Sequence, residues 1–167
     1  LLAAAYAGKA GIDILSIIVA QIEGGGGESV FDQIGSFLPA SYTSEDVDVM
    51  EQSVDTLEAI PESLRGSEGD PDYGSSAELQ LTIYQLVYST MYLNLFVAID
   101  IDGELDLDTL SQLSEEDASK ILEALRGSAT SSNADFGDSV DETLAEIDAM
   151  EGESDAERLQ NYIASSQ

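Results

Sequence analysis

The sequence has no cysteine, no histidine and no tryptophan, and only five Lys or Arg stand against 34 Asp or Glu. Without Cys or His there is no thiol nucleophile, no disulfide, no zinc or haem ligand of the usual kind and no imidazole for proton transfer. The shortage of cations excludes another class. A nucleic-acid binder needs a basic footprint to displace counterions, and a net charge of −29 provides the opposite. Anionic bilayer surfaces are disfavoured on the same ground, so membrane contact is expected only indirectly or through an anchor outside this sequence. The 167 residues fit one domain, and 43% apolar residues are enough to build a core.

The charge is unevenly placed. Residues 1–22 carry one Lys and one Asp, so the remaining 33 acids and 4 bases supply the whole net charge. Leu1 to Ala7 could be read as the end of a secretory signal, with Ala5-Tyr6-Ala7 as the small-residue site. An Ala-rich first helix over 2–23 is the expectation preferred here, with Ile12, Leu15, Val19 and Ile22 on one apolar face. That face is the candidate docking surface for a protein partner. Gly24 to Gly27 then form a glycine joint over 24–28.

Strand signals are nearly absent, the alternation from Ile99 to Leu107 being the single candidate. Helix signals recur throughout. Val30, Phe31, Ile34 and Leu38 mark a short helix stopped by Pro39. Thr43 or Ser44 caps a longer one, with Val47, Met50, Val54, Leu57 and Ile60 inward and Glu51, Asp55 and Glu58 toward water. Residues 65–76 read as a loop. Ser75-Ser76-Ala77-Glu78 then has the capping-box spacing, and Leu79 to Ile99 follow as 21 residues without a charge. That length could span a bilayer, but Glu78, Thr82, Gln85 and Ser89 form a polar stripe and no cation lies near either end. A central core helix over 79–99 is expected. Ser114, Ser139 and Ser154 each precede an acid by three residues and open three further helices, the first ending at Leu125-Arg126-Gly127. The fold class is all-α: about seven amphipathic helices, one domain over 1–167, around the central helix.

Three constellations bear on function. Asp100, Asp102, Glu104, Asp106 and Asp108 place five carboxylates within nine residues. With Gly103 at position 6 of a calcium loop, however, position 1 is Ala98 and position 12 is Thr109, so the first and the bidentate closing carboxylates are missing. These five are the candidate metal ligands, calcium is the candidate ion, and the competing reading is an acidic turn. Tyr84, Tyr88 and Tyr92 recur every four residues and could line an apolar ligand groove; core packing is the competing reading. Carboxylate pairs alone can hydrolyse glycosides, but the acids lie mainly on water-facing helix stripes, and neither a phosphate loop nor a nucleophile elbow is present. A non-enzyme without cofactor is expected. Such an acid excess resembles that of halophilic or marine proteins, whose carboxylates keep the chain hydrated.

Ala59-Ile-Pro-Glu-Ser-Leu64, the Asp70-Pro-Asp loop, Glu78-Leu79 leading to Tyr88, and Phe96-Val97 carry a resemblance. Over about 40 residues the chain is similar to the first helical repeat of the periplasmic lipoproteins that are T components of tripartite TRAP transporters. The resemblance implies a helical-repeat fold, work beside a substrate-binding partner, and apolar ligands. The chain departs from that family in having no cysteine to lipidate and no second copy of the repeat, and no functional residue carries over. The function expected is a non-enzymatic, extracytoplasmic accessory or structural subunit that binds protein partners. The alternatives are a carrier of an apolar ligand and a calcium-dependent binding module.

Overall fold

Hydroxyl and carboxylate side chains start most of these helices. In the computed structural model, which describes residues 2–13, 17, 29–66, 77–97, 106–130 and 134–166, the chain forms eight α-helices among the described residues and no strand. They are α1 (Leu2–Lys9), α2 (Val30–Gly35), α3 (Ser44–Glu58), α4 (Ala77–Asn94), α5 (Leu107–Leu110), α6 (Glu115–Thr130), α7 (Ala134–Ala149) and α8 (Asp155–Ser165). Ahead of α3, Thr43 Oγ1 accepts from the Asp46 amide while Asp46 accepts from the Thr43 amide at 2.8 Å, a reciprocal capping box. Ser114 and Asp117 repeat it before α6. Ser29 and Ser154 cap α2 and α8 through the amides of Asp32 and Glu157, each at 3.2 Å.

α4 is the axis of the bundle. It packs most extensively on α6 and α3; α1 covers α3, α7 and α8 cover α6, and α2 closes the side between α4 and α7. Every residue from Leu81 to Met91 is buried. A helix buried on all sides must hide its polar groups, and the hydroxyls do so locally. Thr82 donates to the Glu78 carbonyl, and Ser89 and Thr90 donate to that of Leu86. Ser53 on α3 and Ser128 on α6 donate likewise to Val49 and Leu125. The stripe Thr82, Gln85, Ser89 thus faces neighbouring helices rather than water. Among the described residues no helix is long and apolar enough to cross a membrane.

Two glycines correct the helix boundaries read from sequence. The expected first helix over 2–23 stops at Lys9. Gly11 adopts φ +79°, its amide donates to the Gly8 carbonyl, and Ile12 N donates to Ala7 O at 3.0 Å. This is the Schellman arrangement of a helix end, and glycine takes that left-handed conformation without a Cβ penalty. Gly127 is the opposite case. It was expected to end its helix, yet α6 continues to Thr130. A Cβ at Gly127 would lie 2.5 Å from Gln85 Nε2, so the missing side chain lets α4 and α6 approach.

The Gly127→Ala variant tests this. Alanine gains about 1 kcal/mol over glycine in a helix interior. Here that gain should vanish, because Gln85 must move and give up its bond to Glu58 Oε1 at 3.0 Å. In a Gln85→Ala background the gain should reappear. A double-mutant cycle on denaturant midpoints reads the coupling, and equal effects of Gly127→Ala in both backgrounds would refute it.

Two other boundaries shift by about one and a half turns. The central helix runs over 77–94 rather than 79–99: the Leu95 and Phe96 amides turn to i−3 carbonyls, tightening the end. α7 opens at Ala134 rather than near Ser139. The Ser75-Ser76 start, the glycine joint over 24–28 and most of the alternating stretch over 99–107 lie outside the described residues. Of that stretch, Leu107 begins α5.

Candidate functional site: an acidic groove between three helices

The candidate metal ligands are only partly placed. Asp100, Asp102 and Glu104 lie outside the described residues. Asp106 is the N-cap of α5; its carboxylate accepts from the amides of Asp108 and Thr109 and from Thr109 Oγ1, which hold its pKa below the usual carboxylate range. Asp108 is exposed on the first turn of that helix. Among the described residues no group of three or more acidic side chains is arranged to hold a metal ion.

The candidate docking face is also only partly placed. Ile12 is 6% exposed and belongs to the chain's own core, as do Ala3, Ala7, Ala10 and Ile17. Leu15, Val19 and Ile22 lie outside the described residues. In this conformation Ile12 is therefore not available to a partner.

The tyrosines divide by depth. Tyr84 is fully enclosed, and its hydroxyl has no partner among the described residues; burial pushes its pKa up to about 12. The Tyr88 hydroxyl donates to Glu51 Oε1 of α3 at 3.3 Å, and that of Tyr92 to Asp117 Oδ1 of α6 at 2.7 Å. Burial first, then these carboxylates, raise both phenol pKa values. The rings of Tyr88, Tyr92 and Phe96 stack in sequence at centroid distances of 5.7 and 6.0 Å.

Removing the Tyr84 hydroxyl separates packing from hydrogen bonding. An unmade buried hydrogen bond costs about 1–3 kcal/mol, so Tyr84→Phe should leave stability unchanged or raise it. Tyr92→Phe should lower it, by about 1 kcal/mol, since its bond to Asp117 is lost. Urea unfolding of both variants checks the contrast; a larger loss in Tyr84→Phe than in Tyr92→Phe would contradict the placement of these hydroxyls.

Tyr88 also reaches a groove of about 210 Å³ that sequence reasoning did not find. Glu51, Val54, Asp55 and Glu58 of α3 form one wall, Lys120, Glu123 and Ala124 of α6 the other, and Tyr88 of α4 contributes between them. The spacing of Glu51, Asp55 and Glu58 aligns them on one helix face, which the sequence does reveal. That this wall stands opposite Glu123 follows only from both helices packing on α4.

The groove holds four carboxylates and one ammonium, and Lys120 is itself 3.7 Å from Glu116 on its own helix. Two of the carboxylates are fixed from beneath, Glu51 by Tyr88 and Glu58 by Gln85. Asp55 and Glu123 are exposed. Val54, Ala124 and the Tyr88 ring supply apolar surface among the charges. Such a surface suits a side chain with an aliphatic stem and a cationic head: the stem lies on the apolar part, and the head meets the carboxylates.

A second groove, of about 310 Å³, lies where α2, the end of α4 and the last turn of α8 meet around Phe31, Leu93 and Tyr162. No family model matches the sequence, and comparisons with characterised proteins and with solved structures find no match either.

Proposed function

We propose that the chain is a non-enzymatic, extracytoplasmic subunit that binds a protein partner, and that a Lys- or Arg-bearing segment of that partner seats in the groove between α3 and α6. The observation that carries this reading is the groove itself: four carboxylates around apolar surface, on a chain of net charge −29. A partner approaching such a surface gains in encounter rate and in specificity when it is cationic. The proposal seats the partner on α3 and α6; of the candidate face in the first 23 residues, Ile12 packs in the chain's own core, and Leu15, Val19 and Ile22 lie outside the described residues. The extracytoplasmic location is part of the same proposal and is supported by the resemblance of residues 59–97 to a periplasmic family.

The variant Asp55→Lys/Glu123→Lys tests the reading, since both side chains are exposed. Reversing them also relieves repulsion, so the fold should survive, as circular dichroism would verify. Native mass spectrometry of protein isolated from its source at moderate salt should find the wild type in a stoichiometric complex and the variant alone. A partner retained equally by both, or none on the wild type, would count against the proposal.

A further inference from the structure

We draw no further inference here: the strongest candidate, the groove that α2, the end of α4 and the last turn of α8 form around Phe31, Leu93 and Tyr162, is a partly apolar face with nothing in the structure to show what covers it.

Discussion

Thermal stability should rise steeply with salt. Four of the five cations are already paired with carboxylates: Arg65 with Glu78, Lys120 with Glu116, Arg126 with Asp148 and Arg158 with Asp155. The excess of 29 negative charges has no internal counter-charge. Two carboxylates about 10 Å apart repel by roughly 0.4 kcal/mol in unscreened water, and a domain of this size holds dozens of such pairs. Unfolding spreads them apart, so repulsion opposes the native state by several kcal/mol.

At about 0.01 M salt the Debye length is about 30 Å, greater than the roughly 15 Å radius of gyration of a chain this long. At 1 M it is about 3 Å, shorter than most carboxylate spacings. With about 2–4 °C per kcal/mol for a domain of this size, the melting temperature should rise on the order of 10–20 °C between those limits. Sodium and potassium chloride should act alike, because the effect is screening. Calorimetry across that range checks it. A flat or falling melting temperature would mean that the carboxylates do not oppose the fold.

The second large effect lies at alkaline pH. Tyr84, Tyr88 and Tyr92 all sit on α4, and all three phenols are raised above their ordinary value, chiefly by burial. Unfolded tyrosines ionise near pH 10. Between that value and the folded one, the unfolded chain binds fewer protons than the native chain, so stability falls as pH rises. Below pH 10 the contribution is fully present. Above it, each group removes up to about 1.4 kcal/mol per pH unit, the partly buried Tyr92 contributing less than Tyr84 and Tyr88. Unfolding and the tyrosinate absorbance of these three residues should therefore appear together, in one cooperative step above pH 10. Gradual ionisation of every tyrosine near pH 10, with helical circular dichroism intact, would show that they are not enclosed as described.

What the sequence disclosed follows the range of the interactions involved. Thr43, Ser114 and Ser154 mark their helix starts correctly because a cap is closed within three residues. The inward faces of α3 and α8 follow from 3.6-residue periodicity in the same way. Gly11 and Gly127 show where local reading stops. Both are glycines near cations in helical sequence, yet one caps a helix and the other admits a neighbour. The difference lies in Gln85, distant in sequence, which occupies the space above Gly127.

The polar stripe on α4 gave no sign in sequence of how a core helix would hide it: its hydroxyls bond their own backbone and behave as packing groups in place. Similarly, one wall of the groove was legible as a row of acids on α3. The other wall depends on α6 crossing α4 in register, which no local pattern encodes.

The claim that a partner's cations seat between α3 and α6 is tested most directly by zero-length carbodiimide cross-linking of the native complex, read by peptide mass spectrometry. That reagent joins a carboxylate to an amine only where the two already touch. Amide links from Glu51, Asp55, Glu58 or Glu123 to lysines of the partner are expected, and they should be lost on raising the salt. Links confined to the acids of α7 and α8, with none to those four residues, would contradict it.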